Sequence, residues 1–363
     1  MKKYFVLLSI ALYFSISASA QSTGDTANHL TMQTIFRLDG SFEQWNNDGP
    51  LTRTVSPSNS ELYTILDGNL TDRITLFGSF HWLNSDPASL YRNSFRADSG
   101  NWVDILTLTY TFDNRMYLTA GKDFMAVGGF EQDPSSSMVY YDLASNNWNL
   151  MQVYQYGGRI GFTAGDDDSL QDCFVQIIGS PFSGRVWEDG LMTATLGWNG
   201  TAGSGWKTMY SATMIQTGGD KDIFMISLGN KWTSGPFAFT LDAMTRSYGL
   251  QDHFNQEFTS VTDIRWSFPK LDIFFKGGWE FCHNDENMFA SNDTDASWNI
   301  SGSIVADHIY KDRDYAFGGL GLEYFPLKDR NLRLTLFGAT NNYCNGGGAI
   351  VASIRYSLES LLY

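Results

Sequence analysis

The chain has 363 residues and a formal net charge of −15, which argues against a nucleic-acid partner because binding to a phosphate backbone requires a basic surface. Its three cysteines are too few for a small fold held together by disulfide bonds. Its mean hydropathy of −0.22 and the lack of long apolar runs after the N-terminus exclude a membrane protein built from helices.

Residues 1–20 have the features of a secretory signal peptide. Lys2 and Lys3 precede an apolar run, and the stretch ends in Ala-Ser-Ala, the small-residue pattern expected before a cleavage site. An uncleaved membrane anchor is the alternative, but the apolar run is short. We therefore expect cleavage before Gln21 and an exported domain at 21–363, which is more acidic than the whole chain because the two lysines are removed.

The stretch MQTIFRLDGSFEQW at 32–45 alternates with a period of two, which is typical of a β-strand. In a soluble protein the apolar face of such a strand packs on a core, whereas in a membrane barrel it contacts lipid and the charged face lines a lumen. The apolar face carries Phe36, Leu38 and Phe42, and the charged face carries Arg37, Asp39 and Glu43.

Similar alternation recurs along the chain and predicts sixteen strands. A globular strand averages about 5 or 6 residues, whereas a tilted strand needs about 9–11 residues to cross a bilayer, and most of the predicted strands reach that length. They span 31–44, 61–70, 73–83, 102–112, 114–122, 151–163, 171–180, 191–199, 206–215, 222–232, 237–247, 257–268, 271–281, 315–325, 331–340 and 349–358.

The predicted connections alternate between long and short. An even number of strands with tight turns at one end and longer loops at the other is typical of outer-membrane barrels. The long connections are 45–60, 84–101, 123–150, 181–190, 216–221, 248–256, 282–314 and 341–348, and the short ones include 113–114, 233–236, 269–270 and 326–330. The sequence therefore predicts an all-β fold, a transmembrane antiparallel β-barrel of about 16 strands.

Tryptophans near the predicted strand ends support this interpretation, because such residues form aromatic girdles at membrane interfaces. They are Trp45, Trp82, Trp102, Trp232, Trp266 and Trp279.

Residues 118–162 carry a strand ending in Gly121-Lys122, a loop with Gly128-Gly129-Phe130-Glu131, and a strand entered through Gln155 and Gly157-Gly158. This region resembles Bacteroidetes outer-membrane porins related to the phosphate-selective porin O and P family, and 177–185 continues the likeness. The resemblance implies a homotrimeric porin whose third loop folds into the lumen. The chain departs from the phosphate-selective members, which favour lumen lysines, in its many lumen carboxylates.

The third loop, 123–150, is long and rich in apolar and aromatic residues, so we expect it to be buried rather than disordered. Irregular backbone cannot lie unpaired in hydrocarbon, so we expect the loop to pack against the lumen wall and to constrict the pore. Acids of the loop would then oppose cations of the wall across the constriction. The acids are Asp123, Glu131 and Asp133, and the cations include Arg37, Arg73 and Arg159.

Strand phase predicts which charged residues line the pore, where charge sets the preference for ions. The alternative for each residue is a pairing across strands that keeps the lumen wet. The predicted cations are Arg37, Arg73, Arg115, Lys122, Arg159, Lys207, Arg246, Arg265, Lys276, Arg333 and Arg355. The predicted carboxylates are Asp39, Glu43, Asp67, Asp242, Asp263, Asp272, Glu280 and Glu323, together with Glu131 and Asp133 of the third loop.

These patterns predict a porin for passive diffusion of small hydrophilic solutes or ions, with outer-membrane lipid and lipopolysaccharide around it and no cofactor or metal. The five histidines are scattered, and no nucleophile or metal motif accompanies them, so an enzyme is not expected. The three acids in GDDDS at 165–169 are expected to be a solvated edge rather than a Ca²⁺ site. The alternatives are a substrate-specific channel, possibly for anions or phosphate, and a non-conducting barrel that acts as a receptor or enzyme.

Overall fold

The computed structural model describes residues 29–45, 52–56, 61–84, 103–127, 129–132, 143–145, 154–166, 168–183, 190–203, 205–248, 257–282, 314–342 and 348–362. The leader predicted at 1–20 lies outside these residues. Within the described part of the chain, no helix is both long and apolar enough to span a membrane.

The described residues form seventeen strands and a short 3-10 turn at Phe130–Gln132. The strands are β1 (His29–Trp45), β2 (Thr52–Ser56), β3 (Glu61–Thr71), β4 (Ile74–Asn84), β5 (Val103–Thr111), β6 (Met116–Phe124), β7 (Tyr154–Ala164), β8 (Gln171–Gly179), β9 (Met192–Ala202), β10 (Trp206–Ile215), β11 (Ile223–Ser234), β12 (Phe237–Ser247), β13 (Glu257–Ser267), β14 (Leu271–Cys282), β15 (Tyr315–Tyr324), β16 (Leu332–Asn341) and β17 (Gly348–Leu361).

The sheet closes on itself as an antiparallel barrel because β1 pairs with both β17 and β3. Strand β2 pairs only with the second half of β1, from Ser41 to Trp45, while β3 pairs with the first half. Strands β2 and β3 thus occupy one position in the wall, which has sixteen strands in circumference. Closure pairs the first strand of the wall, β1, with the last, β17, as a barrel in hydrocarbon requires.

All sixteen predicted strands are confirmed, with boundaries that differ by a few residues at most. The alternation of short turns and long connections is confirmed for most of the barrel: β3 and β4 are joined at 72–73, whereas 125–153 separate β6 from β7. It fails at the end of the chain, where 325–331 join β15 to β16 and the shorter 342–347 join β16 to β17. The prediction was wrong within 45–60, where the structure has β2. Five residues between Pro50 and Pro57 carry too weak an alternation to predict a strand, and pairing with the long β1 supports this one.

The two faces of the barrel differ as the alternation predicts. Leu38 is 61% exposed and its neighbours Arg37 and Asp39 are 8% and 2% exposed, so the apolar side chain of β1 faces outward and the charged ones face inward. The same relation holds in β16, where Leu336 is 52% exposed and Thr335 is 5% exposed. The outer surface therefore offers lipid an apolar band, and the polar residues face a lumen.

Exposed tryptophans mark both ends of the outer surface. Trp232 and Trp266 lie beside short turns, and Trp82 and Trp279 lie toward the long connections, in agreement with the predicted girdle. The indole of Trp82 donates to Thr64 at 2.8 Å and that of Trp279 to Asp314 at 3.2 Å, so these N–H groups have acceptors in neighbouring strands or loops. Trp102 and the side chain of Trp45 lie outside the described residues.

Candidate pore and its third loop

Many of the predicted lumen charges form ion pairs on the inner wall. Burying a charge without a partner costs several kcal/mol, so charged side chains that are shielded from water in the wall need partners of opposite charge. The pairs, with their N–O distances, are Arg37–Asp39 at 2.6 Å, Arg159–Asp123 at 2.9 Å, Arg246–Glu257 at 2.7 Å, Arg265–Glu323 at 2.6 Å, Lys276–Glu131 at 2.9 Å and Arg333–Glu323 at 3.5 Å. The pairs of Arg159, Arg246, Arg265 and Arg333 are the cross-strand pairing that the sequence left open as the alternative, whereas Arg37–Asp39 lies within β1 and Lys276–Glu131 joins β14 to the third loop.

Three arginines nevertheless stand in a row across adjacent strands. Arg355 of β17 lies directly opposite Arg37 of β1 on one side and Arg333 of β16 on the other. Like charges at opposed positions of a sheet destabilise it. Asp39 and Glu323 compensate Arg37 and Arg333, and the row remains a concentration of positive charge on one side of the lumen.

Lys122 lies at the end of β6 and is 4% exposed. Its Nζ donates to the carbonyl oxygen of Val103 at 2.5 Å, so it braces β5 against the start of the third loop. Beside it, His81 of β4 pairs with Asp104 of β5, which is 1% exposed. No motif in the sequence predicts this pair, because the contact depends on how β4 and β5 are aligned in the sheet.

The prediction of a lumen position for Arg73 was wrong. Arg73 lies in the turn between β3 and β4, where it contacts Asp113 of the next short turn at 2.6 Å and the hydroxyl of Tyr110 at 3.4 Å. These contacts raise the pKa of Arg73, the Tyr110 hydrogen bond contributing most and Asp113 next. Strand phase predicts a face of the sheet, but it does not predict that a residue has reached the rim.

Two other predicted pore residues cannot be placed. Asp133 lies outside the described residues, as does the side chain of Glu43, although the backbone of Glu43 pairs with Ala349.

The third loop enters the lumen after β6. Phe124, Met125 and Val127 are at most 6% exposed and pack in one apolar cluster with inward-facing residues of β5, β8, β10 and β11. The amide of Ala126 donates to the Oε1 of Gln176 on β8 at 2.9 Å. The first arm of the loop is therefore bound to the wall by apolar packing and by a hydrogen bond to its backbone.

The next part of the loop meets β12 and β14. The backbone N–H groups of Phe130 and Glu131 donate to the carboxylate of Asp242 on β12, at 3.0 and 2.7 Å. The carboxylate of Glu131 accepts from the amide and hydroxyl of Ser145 and pairs with Lys276 on β14. Glu131 thus joins the two arms of the loop to each other and to the wall.

The returning arm, 143–145, reaches a second apolar cluster. Leu143 is fully buried and packs with Met244, Phe274 and Phe317, on β12, β14 and β15. A Cβ on Gly319 of β15 would lie 2.6 Å from a methyl of Leu143, so the absence of a side chain there admits the leucine. The prediction that the loop folds inward is confirmed for the described segments 125–127, 129–132 and 143–145.

The expected charge arrangement across a constriction is different in detail. Asp123 does not face Arg159 across open lumen but contacts it directly, and it also accepts a hydrogen bond from Gln176 at 2.9 Å. The side chain of Glu131 is 2% exposed and binds Lys276. Glu131 therefore fixes the loop to the wall, whereas Asp123 belongs to β6 and joins it to β7 and β8.

A cavity of about 270 Å³ remains between the first arm of the loop and the wall. Phe77, Val127 and Met209 contribute apolar surface, and Arg159 contributes a guanidinium whose carbon lies 4.5 Å from the ring centroid of Phe174. The loop therefore occupies part of the lumen and leaves space beside it.

The GDDDS turn at 165–169 is held by a hydrogen bond within the turn. Ser169 donates to Asp166 at 2.5 Å, and this hydrogen bond lowers the pKa of Asp166 below its ordinary value. No group of three or more metal-binding side chains occurs in the described part of the chain.

Comparison with known proteins agrees with this architecture. Residues 66–196, which run from β3 to β9 and include the third loop, match the family described as phosphate-selective porin O and P. No curated protein matches the chain in sequence.

Several solved structures share the fold at low sequence identity. OmpF of Salmonella typhi, solved in complex with daunomycin, has a TM-score of 0.60 and 11% identity, with 93% of this chain and 100% of that chain covered. Outer-membrane expressed OmpT of Vibrio cholerae has a TM-score of 0.54 and 11% identity, with the same coverage. The outer-membrane channel DcaP of Acinetobacter baumannii has a TM-score of 0.51, 11% identity and the same coverage.

These likenesses show the fold, and the family match covers the segment in which the third loop leaves and rejoins the wall. The chain is thus a sixteen-stranded porin-type barrel whose residues 66–196 are similar to the phosphate-selective porins O and P.

Proposed function

We propose that the chain forms a water-filled channel through which small hydrophilic solutes or ions diffuse passively across the outer membrane. The observation that carries the proposal is the closed wall of sixteen strands, apolar outside and charged inside. A barrel of this size is wide enough to leave an aqueous channel, because its diameter grows with strand number. An apolar outer band of this kind is favourable in lipid and unfavourable in water.

The third loop supports a channel with a limited bore. Its two arms pack on two different groups of strands, and a cavity of about 270 Å³ remains beside the first arm. A loop that crosses the lumen without filling it restricts the size of passing solutes, while the charged wall solvates them. A receptor or an enzyme with a blocked lumen would not need this arrangement.

Conductance in a planar bilayer tests the function. The refolded barrel is expected to give stepwise increases in current, and a preparation heated until the barrel unfolds serves as the control. Refolding is monitored by heat-modifiable gel mobility. A correctly folded barrel that inserts into the bilayer and carries no current would overturn the proposal.

The surroundings of the channel belong to the same proposal. We infer export through a signal peptide at 1–20, which N-terminal sequencing of the membrane-bound protein would test by finding Gln21 first. We infer contact with outer-membrane lipid and lipopolysaccharide at the apolar band, and a homotrimer in line with the resemblance to porins. Cross-linking followed by mass measurement in mild detergent distinguishes a trimer from a monomer.

A further inference from the structure

Three residues of the barrel wall, Asp242, Gly229 and Lys276, contact the third loop at one place, which we call its seat. We propose that Asp242, Gly229 and Lys276 are positioning residues that hold the loop in the lumen and thereby set the bore of the channel. The inference rests on the proposed function and adds to it the residues that determine which solutes are admitted.

Asp242 points its carboxylate at the loop. It is 1% exposed, and both hydrogen bonds that the structure gives its carboxylate come from the backbone N–H groups of Phe130 and Glu131. Hydrogen bonds from backbone N–H groups to a carboxylate are about twice as strong as neutral ones. A buried carboxylate would otherwise be costly, so Asp242 is suited to the wall only when the loop is in place.

Two glycines allow the loop to come this close. A Cβ on Gly129 of the loop would lie 2.1 Å from the Oδ1 of Asp242, and a Cβ on Gly229 of β11 would lie 2.8 Å from the Cα of Gly129. Both distances are shorter than side chains tolerate, so the backbone of the loop lies directly on the wall at a point where neither element has a side chain. This accounts physically for a glycine immediately before Phe130-Glu131.

Lys276 holds the loop from the adjacent wall. Its Nζ lies 2.9 Å from Glu131, whose carboxylate also accepts from the amide of Ser145 at 3.0 Å and from its hydroxyl at 2.5 Å. Ser145 belongs to the returning arm, next to the buried Leu143. One carboxylate therefore connects the outgoing arm, the returning arm and β14.

The seat lies between the two apolar anchors of the loop. The first anchor, around Met125, packs on β5, β8, β10 and β11, and the second, at Leu143, packs on the clustered residues of β12 to β17. Because the hydrogen bonds of the Asp242 carboxylate go to the loop rather than to neighbouring strands, removing them releases the loop without removing a contact between strands. We therefore expect substitutions at the seat to change the position of the loop and not the stability of the barrel.

The test compares Asp242→Asn and Gly229→Ala with the wild type. The first variant turns one acceptor into a donor facing a backbone N–H. The second adds a Cβ that would lie 2.8 Å from the Cα of Gly129 and 2.9 Å from the Oδ1 of Asp242, so it separates the loop from its acceptor without changing any charge. Both are expected to fold with wild-type heat-modifiable mobility, to raise single-channel conductance and to increase current fluctuations. Asp329→Asn removes the same charge from the short turn between β15 and β16, away from the loop, and is expected to leave the conductance unchanged.

Hydrogen exchange gives a readout that does not depend on conduction. The amides of Phe130 and Glu131 are expected to lose protection by about ten-fold or more in Asp242→Asn, as befits the loss of hydrogen bonds to a charged acceptor. Folded variants with wild-type conductance and wild-type protection of these amides would overturn the proposal, even if the wild type conducts. If the wild type does not conduct but Asp242→Asn loses protection of the Phe130 and Glu131 amides, the proposed function is refuted. The role of the seat in holding the loop is then still supported.

Discussion

The carboxylate of Glu131 lies 2.9 Å from the Nζ of Lys276, so a loop that leaves the wall after β6 is ion-paired with β14. The side chains of the two residues are 2% and 13% exposed, which shields the pair from water and salt. Such a pair is expensive to break, because one charge is left buried without a partner. Exchanging the charges of Glu131 and Lys276 therefore tests whether this contact holds the loop in position.

We expect Glu131→Lys to release the loop and to raise the conductance, because it sets a lysine against Lys276. Breaking a buried pair costs about 3–5 kcal/mol, enough to displace the loop in most molecules. The double variant Glu131→Lys with Lys276→Glu restores opposite charges and should lower the conductance toward the wild-type value. The recovery will be partial, because Ser145 has lost its acceptor. Equal conductance of the single and double variants would show that the ion pair does not hold the loop.

Deleting residues 131–139 should also raise the single-channel conductance. The deletion removes Glu131 and with it the connection between the loop, Lys276 and Ser145. Heat-modifiable mobility should remain as in the wild type, because the flanking strands β6 and β7 lie outside the deleted stretch. A folded deletion variant with unchanged conductance would place the constriction elsewhere.

The lipid-facing assignment predicts different effects for two adjacent residues of β16. Leu336→Arg should damage folding, because a charge on the lipid face near mid-bilayer costs about 2–4 kcal/mol. Thr335→Arg should be tolerated far better, since Thr335 faces inward, opposite Glu323 on β15. Folding titrations into lipid vesicles measure both. If the two variants lose the same stability, the assignment of inward and outward faces in β16 is wrong.

The row of arginines predicts where ion selectivity is sensitive. Arg355→Ala should shift the reversal potential toward cations, because it removes the central charge between Arg37 and Arg333. Arg73→Ala removes the same charge but at the rim, in a turn where Arg73 pairs with Asp113, and should shift the potential much less. Measurement in a salt gradient across a bilayer compares the two variants directly. A larger shift for Arg73→Ala would mean that the row lies outside the path of the ions.

The sequence by itself determined the class of fold and the orientation of the strands. Alternation such as that around Leu38 predicts a strand and its two faces, because side chains of neighbouring residues point to opposite sides of a sheet. The order of short and long connections predicts an even-numbered barrel, because antiparallel neighbours are joined alternately at its two ends. The burial of an apolar third loop followed from its composition, because such a surface is not stable in water.

The partners of individual residues were decided by the tertiary structure alone. Asp242 meets Phe130 across more than a hundred residues of chain, and this contact depends on the closure of the barrel and on the path of the loop, neither of which leaves a local pattern. Periodicity also placed Arg73 on the inner face, although it lies at the rim, since the period of a strand does not show where the strand ends. The sequence predicts Glu131 as a pore-lining acid, whereas in the structure it binds Lys276 and Ser145 and holds the loop. The sequence does not show this, because only the folded chain brings these two residues within hydrogen-bonding distance.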